Sequence, residues 1–400
     1  MKITGVEMFP VVNPGPQLGG EIWMLLRLDT DEGVSGYGEL FTNALPWRPA
    51  VTAKVIEDLV ADLLTGHEVS AVEQLYWKIY NLAYSHASDL TKSAITSALD
   101  MACYDIMGKS LGVPAYVLLG GLFRERVRSY TYIYPAPSGP ATTGALWSDP
   151  GAVAERAISY VERGFTALKL DPLPFLAGRE AHAHQVVPVQ FSAEVLDGAE
   201  RVIAELRRAV GPACDLLVGT HGQMTTAAAV RLARRLEAYD PLWFEEPVPP
   251  ELAEEMAVVA RASRVPIAAG ERLTSKWECA RLIRHQAVSV LNIDVSQVGG
   301  LLEAKKVAAL AEANYVQVSP HCFGGPLVAA ASVQLAAACP NVLIVEAIET
   351  YGGAHAELLD TPIEWVDGDI VPSARPGLGH NLDERVARRL APDATYTKLR

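Results

Sequence analysis

A repeating alternation of short apolar runs and amphipathic helical stretches constrains the fold of this chain more than any other feature. It begins after Arg126, and each run ends in a polar or glycine-rich turn. The eight runs are VRSYTYIY, FTALKLD, DLLVGTHG, PLWFEEP, VPIAAGE, VSVLNID, YVQVSPH and NVLIVEA. Eight such strands with intervening helices, over about 230 residues, predict a (β/α) barrel of the α/β class rather than an open sheet.

The part of the chain before the barrel has a different pattern and predicts a separate domain. Residues 1–40 alternate like strands, whereas residues 50–108 have apolar residues at three- and four-residue spacing, which is typical of helices. Strands followed by helices favour an α+β domain. We therefore expect an α+β capping domain over residues 1–125, a barrel over residues 126–355, and a C-terminal segment, residues 356–400, that returns to the cap.

Polar residues recur at the ends of the predicted barrel strands. They are Lys169, Asp171, Gly219, His221, Glu245, Glu271, Asp294, His321 and Glu346. From Gly219 onward the steps between strand ends are 26, 26, 23, 27 and 25 residues, as one βα unit per step would give. Strand ends of a barrel meet at one rim, where catalytic groups lie. Helix capping is the alternative, but glutamate is a poor N-cap.

The chain resembles the mandelate racemase and muconate lactonising branch of the enolase superfamily. The resemblance lies in SALDMACYDIMGKSLGVPAYVLLGG, GFTALKLD, WFEEPVPP, AAGERL, NIDVSQVGG, VSPHCFGGP and PGLGHNLDE, which span nearly the whole chain. It implies a modified (β/α)₇β barrel, a cap built from both termini, Mg²⁺ at the barrel mouth, and removal of the α-proton of a carboxylate substrate. It also implies a homo-oligomer. A hard cation held by carboxylates stabilises the enediolate that forms.

The resemblance assigns roles to individual residues. Glu245 and Glu271 match metal-ligand positions, and Glu246 is expected beside them as a supporting partner. Asp294 and His321 match the family's dyad, in which a carboxylate fixes the tautomer of the histidine base. For the glutamate that binds the substrate carboxylate or enediolate, Glu346 is the match and Glu349 is a nearby competitor.

The second strand departs from the racemase pattern. Racemases of this branch end it with KxK, whose second lysine is a base, but here the motif is Lys169-Leu170-Asp171. Lys169 matches the first lysine, which can neutralise the substrate carboxylate. A single base, His321, on one face favours dehydration over two-base racemisation.

The third strand departs as well, since Gly219 stands where relatives have the first aspartate ligand of the metal. Our hypothesis is that Asp171 or His221 supplies the missing metal ligand; alternatively, Asp171 only pairs with Lys169. His221 matches a dehydratase-type histidine that acts as an acid for the leaving hydroxyl or only binds a substrate hydroxyl.

Substrate contacts are expected from loops. The cap segments 13–20 and 41–48 are predicted to overhang the mouth as specificity loops, with Trp47 or Arg48 touching the distal end of the substrate. His182 and His184 lie in a long, aperiodic insertion after the second strand. Loops of this length are often functional, so the two histidines either close over the substrate or lie on the surface.

We therefore predict a Mg²⁺-dependent acid-sugar dehydratase that converts an aldonate or aldarate to a 2-keto-3-deoxy acid. A cycloisomerase of an anhydro-sugar acid or aldonolactone is one alternative, and a non-catalytic sugar-acid binding barrel is another; Gly219 favours both. A net charge of −13 argues against a nucleic-acid partner. The five scattered cysteines indicate neither zinc nor a disulfide framework. Without a signal peptide or a membrane-spanning apolar run, we expect a cytoplasmic protein.

Overall fold

The computed structural model describes residues 1–41, 49–56, 61–82, 84, 86–137, 139, 142–173, 187–391 and 395–398. They form an antiparallel sheet with helices packed on it, followed by a domain of parallel strands. In these residues no helix combines the length and the apolar character that crossing a membrane requires.

The capping domain is built on the antiparallel sheet. Its strands are β1 (Ile3–Val12), β2 (Ile22–Thr30), β3 (Ser35–Leu40) and, from the other end of the chain, β14 (Thr395–Lys398). The order in the sheet is β14-β1-β2-β3. The helices of this domain are α1 (Pro49–Val55), α2 (Ala61–Leu64), α3 (Val72–Tyr80), α4 (Leu90–Leu111) and α5 (Ala115–Leu118).

The long helix α4 packs against β3 at very short range. Asp89 caps its start by accepting a hydrogen bond from Lys92 N, and Gly112 ends it at φ 68°, a conformation that glycine adopts without strain. A Cβ on Gly38 would lie 2.0 Å from the carbonyl oxygen of Ala98. The strand and the helix can meet at this distance only because this strand residue has no side chain.

The barrel domain alternates strands and helices. Its strands are β4 (Val127–Tyr132), β5 (Ala167–Leu170), β6 (Asp215–Gly219), β7 (Trp243–Glu245), β8 (Ile267–Ala269), β9 (Val290–Leu291), β10 (Gln317–Val318) and β11 (Val345–Glu346). Its helices are α6 (Thr143–Trp147), α7 (Pro150–Glu162), α8 (Ala193–Val210), α9 (Thr226–Leu236), α10 (Ala253–Ala262), α11 (Lys276–Arg284), α12 (Gly300–Glu312) and α13 (Pro326–Ala338). The predicted alternation is therefore present.

The barrel strands are neighbours in space in the same order as in sequence. Parallel pairing runs from β4 to β10, and β11 pairs with β4. Between β10 and β11, backbone hydrogen bonds join Leu343 N to Val318 O (2.8 Å) and Glu346 N to Pro320 O (3.1 Å). One cluster of side chains lies between the strands; its buried members are Tyr130, Ala167, Leu217, Trp243, Ala268, Val290 and Ile344. The carboxyl ends of the strands consequently share one rim.

The segment after the barrel contains α14 (Ala354–Glu357), β12 (Glu364–Val366), β13 (Asp369–Val371) and α15 (Glu384–Leu390). We expected residues 356–400 to return to the cap, but the structure divides them between the two domains. In the hairpin β12–β13, strand β13 pairs antiparallel with β4 of the barrel, and Trp365 packs on Phe165 with ring centroids 4.5 Å apart. α15 and β14 lie on the cap, where Glu384 pairs with Arg27 at 2.7 Å, and Gly377 also bonds the cap through its hydrogen bonds with Val113 and Ala115.

The carboxylate of Glu39, in β3 of the cap, is bonded to the barrel at the start of α13. It accepts hydrogen bonds from the backbone N–H groups of Gly325 (2.5 Å), Leu327 (3.1 Å) and Val328 (3.1 Å). The first N–H groups of a helix have no partner within the helix, and α13 has no side-chain cap of its own. Glu39 therefore caps α13 from the other domain and fixes the cap over the barrel.

Candidate active site

The polar residues predicted at strand ends lie along the carboxyl rim of the barrel. Lys169 belongs to β5, whereas Gly219, Glu245 and Glu346 are the last residues of their strands. The remaining ones, Asp171, His221, Glu271, Asp294 and His321, follow their strands by one to three residues. The helix N-caps that bond through side chains in the described barrel are other residues: Asp149, Ser192, Thr225 and Ser275 among them. Helix capping therefore does not account for these residues.

Asp294 and His321 form a buried pair on neighbouring strand ends. Their backbones join in an isolated parallel bridge, and His321 Nδ1 lies 2.7 Å from Asp294 Oδ2. The other carboxylate oxygen of Asp294 accepts hydrogen bonds from Ser296 N (2.7 Å) and Ser296 Oγ (2.5 Å). Asp294 thus holds the proton on Nδ1 of the imidazole and leaves Nε2 to face the barrel mouth.

Two carboxylates face the free nitrogen of His321. Nε2 lies 3.6 Å from Glu271 Oε2 and 3.7 Å from Glu346 Oε2. Burial lowers the pKa of a histidine, but the charges of Glu346 and Glu271 and the bond to Asp294 outweigh this effect and raise the pKa of His321 to about 10. Burial raises the pKa of Glu271, but the positive charges of His321, His221 and Lys169 outweigh this effect, so the pKa is lowered overall.

The structure separates Glu346 from its competitor Glu349. Glu346 Oε2 accepts a hydrogen bond from Cys322 N at 3.2 Å, and its buried Oε1 has no hydrogen-bond partner within the described part of the chain. Glu349 instead accepts the hydroxyl of Tyr160 and lies 3.3 Å from Arg156. A buried oxygen without a partner costs free energy, so Glu346 is the one of the two that is open to a ligand.

Lys169 and Glu245 form a buried ion pair. Lys169 Nζ donates to Glu245 Oε1 at 2.5 Å, and Glu245 Oε2 accepts from Trp243 Nε1 (2.9 Å) and Asn292 Nδ2 (3.3 Å). Burial lowers the pKa of a lysine, but Glu245 and further acidic groups of the mouth raise the pKa of Lys169 above its ordinary value. Lys169 is therefore the fixed positive charge of the site.

The missing side chain of Gly219 leaves room for this lysine. A Cβ at this position would lie 2.8 Å from Lys169 Cε and 3.3 Å from Tyr132 Oη. The first of these distances is too short for carbon atoms in contact. The stem of Lys169 therefore occupies the space that a side chain on Gly219 would need.

Asp171 and His221 form a second carboxylate–histidine pair. His221 Nδ1 lies 3.2 Å from Asp171 Oδ2, which also accepts Gln223 Nε2 at 2.6 Å, while Asp171 Oδ1 accepts Leu173 N at 2.9 Å. Tyr132 Oη lies 3.3 Å from His221 Nε2. Burial lowers the pKa of His221, but the bond to Asp171 raises it overall. No ion pair between Asp171 and Lys169 is formed in the described structure, so Asp171 orients His221 instead.

Glu246 points away from this arrangement toward Arg272. The two side chains form an ion pair with Arg272 Nε 3.0 Å from Glu246 Oε2, and Arg272 also donates to His221 O at 2.5 Å. Glu246 is buried, so the carboxylate of this ion pair is shielded from water. Arg272 therefore links Glu246 to the backbone of His221.

The side chains present do not fit the three-carboxylate Mg²⁺ site that the family resemblance implies. Glu245 already bonds three donors, Gly219 offers no ligand, and both oxygens of Asp171 are engaged. In the residues that the structure describes, no group of three His, Cys, Asp or Glu side chains is arranged to hold a metal ion. Asp171 and His221 bond to each other, and the hypothesis that one of them supplies the missing ligand stays a prediction.

The cap contributes an aromatic side chain to the mouth. The ring centroid of Phe41 lies 6.3 Å from that of His321 in an edge-on orientation. The cap segment 13–20 touches the barrel near Gly324, because a Cβ on Gly19 would lie 2.4 Å from its carbonyl oxygen. Four predicted substrate contacts lie outside the described residues: Trp47, Arg48, His182 and His184.

Sequence reasoning missed the groups that hold the predicted residues in place. Tyr132, Gln223 and Asn292 each contact one of them through a polar atom. Gln223 lies in the same THGQ motif as His221, and Asn292 lies in the same NID motif as Asp294. Their positions in these motifs could therefore have been used to predict that they lie at the site. The hydroxyl of Tyr132 had no such signal, because its approach depends on Gly219.

Comparison with known proteins agrees with this architecture. Residues 152–386 match the enolase C-terminal domain-like family, and residues 16–120 match the mandelate racemase / muconate lactonizing enzyme N-terminal domain. The chain belongs to the enolase superfamily. Within it, the chain is a member of the mandelate racemase / muconate lactonizing enzyme branch, and the predicted family and fold class are confirmed.

Relatives of this branch cover almost the whole chain. D-galactonate dehydratase from Xanthomonas euvesicatoria is 32% identical over 373 residues, covering 92% of this chain and 90% of the relative. D-galactonate dehydratase from Ralstonia nicotianae is 33% identical over 380 residues, covering 93% and 92%. Such dehydratases are hydro-lyases, and this chain is an enzyme of the lyase class, which removes the non-catalytic alternative.

Solved structures of this branch have the same fold as the chain. A protein of the mandelate racemase/muconate lactonizing enzyme type from Labrenzia alexandrii has 47% identity and a TM-score of 0.91, covering 97% of this chain and 96% of its own. A mandelate racemase/muconate lactonizing enzyme from Sulfitobacter has 40% identity and a TM-score of 0.90, covering 97% and 95%.

Proposed function

We propose that this enzyme dehydrates a small sugar acid, removing the proton next to the carboxylate and then the neighbouring hydroxyl. The observation that carries the proposal is the Asp294–His321 pair, whose free Nε2 faces the mouth among charged groups at strand ends. The names of the D-galactonate dehydratase relatives support an acid sugar, an aldonate or aldarate, as the substrate class.

The first step is transfer of the C2 proton to His321 Nε2. Because Asp294 accepts the proton on Nδ1, the lone pair of the neutral imidazole is on Nε2. The base must be unprotonated, and the pKa of His321 is raised to about 10 by Glu346 and Glu271 against the effect of burial. The free enzyme therefore gains active base as the pH rises toward that value.

The electrons of the broken C–H bond move into the carboxylate and form an enediolate. Lys169 supplies the positive charge for this anion, since its ammonium group is buried beside the carboxyl end of β6. Glu346 Oε1 lacks a partner in the described structure and is the group that bonds the substrate carboxylate or an enediolate oxygen in this proposal. A fixed charge in a buried site stabilises a developing anion more than it would in water.

The second step expels the hydroxyl group at C3. His221 donates the proton, and the hydroxyl leaves as water while the enediolate electrons form the C2=C3 double bond. The bond to Asp171 raises the pKa of His221 against the effect of burial and so favours its protonated form. The resulting enol becomes a 2-keto-3-deoxy acid by taking up a proton at C3.

A cycloisomerase is the second candidate, favoured by Gly219. This residue changes the mouth of the barrel by admitting Lys169 and Tyr132 to the place of a side chain. An anhydro-sugar acid or aldonolactone would lose its α-proton to His321 in the same way, but all atoms would remain in the product.

A substrate screen separates these functions. Purified enzyme is incubated with a panel of aldonates, aldarates and aldonolactones in D₂O, and products are analysed by mass spectrometry and NMR. The proposal expects loss of one water and a keto-acid signal, whereas a cycloisomerase product would keep the mass of its substrate apart from deuterium. Turnover that is equally fast in His321→Asn would contradict both.

A further inference from the structure

The strand end at Gly219 leaves room for a cationic side chain of the protein, that of Lys169. A Cβ there would meet Lys169 Cε at 2.8 Å, so even alanine would displace the lysine stem. No left-handed φ requires glycine at this position. Glycine at this strand end therefore leaves free the space that the stem of Lys169 takes and that lies next to the hydroxyl of Tyr132.

The hydrogen bonds of Glu245 lead to the same conclusion. One oxygen accepts from Lys169 at 2.5 Å, and the other accepts from the indole of Trp243 and the amide of Asn292. A divalent cation bound to Glu245 would have to displace the ammonium group or lie next to it as a like charge. Either change costs free energy in a buried site.

The acidic groups of the mouth act on the same lysine. Glu245 Oε1 lies 2.5 Å from Lys169 Nζ, and Glu271 and Glu346 lie on the same rim, 3.6 and 3.7 Å from His321 Nε2. Lys169 therefore occupies the place among these carboxylates where a positive ion is needed, and it is held by the protein chain.

We propose that the Lys169 ammonium replaces the divalent cation in this enzyme, and that Gly219 is the residue that permits the replacement. The chain then requires no Mg²⁺ either to fold or to stabilise the enolate-like anion. The role assigned to that anion rests on the proposed function, whereas the absence of a divalent-cation site does not.

Titration with Mn²⁺ alone tests the proposal without any substrate. Electron paramagnetic resonance of the full-length protein should show no stoichiometric Mn²⁺ site tighter than about 1 mM at neutral pH, the concentration that corresponds to about −4 kcal/mol. One Mn²⁺ per chain bound in the micromolar range, and lost in Glu271→Gln, would overturn it.

A double variant provides the matched comparison. Lys169→Ala with Gly219→Asp removes the ammonium group and adds a carboxylate beside Glu245, so it should gain a Mn²⁺ site at least tenfold tighter than any in the parent. Lys169→Ala alone lacks the third carboxylate and should bind more weakly than the double variant. If the double variant does not fold, the titration of the parent protein decides the question.

Turnover gives the second readout. For any sugar acid that the enzyme converts, dialysis against EDTA should leave kcat/KM unchanged within twofold, and loss of turnover restored by Mg²⁺ would contradict the proposal. If no sugar acid is converted, the proposed function fails, while the Mn²⁺ titration still decides this inference.

Discussion

Two carboxylate–histidine pairs lie on the rim of the barrel, and they differ in what faces their second ring nitrogen. In the Asp294–His321 pair, Nε2 faces Glu271 and Glu346 at 3.6 and 3.7 Å. In the Asp171–His221 pair, Nε2 lies 3.3 Å from the hydroxyl of Tyr132. The first histidine is buried, whereas the side chain of the second is 36% exposed.

The neighbours of each carboxylate–histidine pair determine its chemistry. Both carboxylates fix Nδ1 of their histidine in the same way. The two carboxylates beside His321 raise the pKa of that histidine further and create a strong base, because they stabilise the proton it gains. Nε2 of His221 lies near the neutral hydroxyl of Tyr132 instead. A protonated histidine without a carboxylate at Nε2 can more readily give its proton to a leaving oxygen.

The largest effect is expected from removing the base. His321→Asn should lower kcat/KM by about 10⁴-fold, since proton abstraction has no other group at this position, and it should abolish deuterium exchange at C2. The control is His285→Asn on the surface, where His285 lies 3.5 Å from Glu254, and this variant should keep parental activity. Exchange at C2 that survives in His321→Asn would assign the base to another residue.

Removing the acid should have a smaller and different effect. His221→Asn should slow keto-acid formation by about 10²-fold, while deuterium exchange at C2 continues because His321 is intact. Proton NMR in D₂O follows both signals in one sample. If exchange at C2 and keto-acid formation fell together in His221→Asn, both pairs would act in the same step, which would contradict this prediction.

The smallest change is a shift of one pKa. Glu346 is the largest of the influences that raise the pKa of His321 to about 10, so Glu346→Gln should lower that pKa, and the kcat/KM–pH profile should move to lower pH. NMR of ¹³C-labelled histidine measures it, with the His321 signal assigned from His321→Asn. The His221 signal serves as the internal control, because Glu346 is not among the main influences on it; equal shifts of both would contradict the comparison.

The strand-end pattern let the sequence predict the rim, because barrel strands place their last residues together. Lys169, Glu245, Glu271, Asp294, His321 and Glu346 all lie there. The repeated alternation of apolar runs and helices likewise predicted the barrel, and the strands followed by helices in residues 1–108 predicted the cap. Periodicity and spacing were sufficient for both, since each depends on position along a single strand or helix.

The contacts between these residues could not be predicted in the same way. That Lys169 fills the space at Gly219 follows from the path of a long side chain across two strands. That Asp171 bonds His221 rather than Lys169 depends on Gln223 and Leu173 N as further donors. The hairpin at residues 364–371 joined the barrel through the packing of Trp365, which its sequence pattern does not encode.

The position of Glu39 has a consequence for how the site opens. Its carboxylate holds three backbone N–H groups at the start of α13, and Phe41, two residues further along, lies against His321. Swinging the cap away as a rigid lid would strip a buried charge of all three donors at once, which is costly. We therefore expect substrate exchange to proceed without separation of the two domains at this contact.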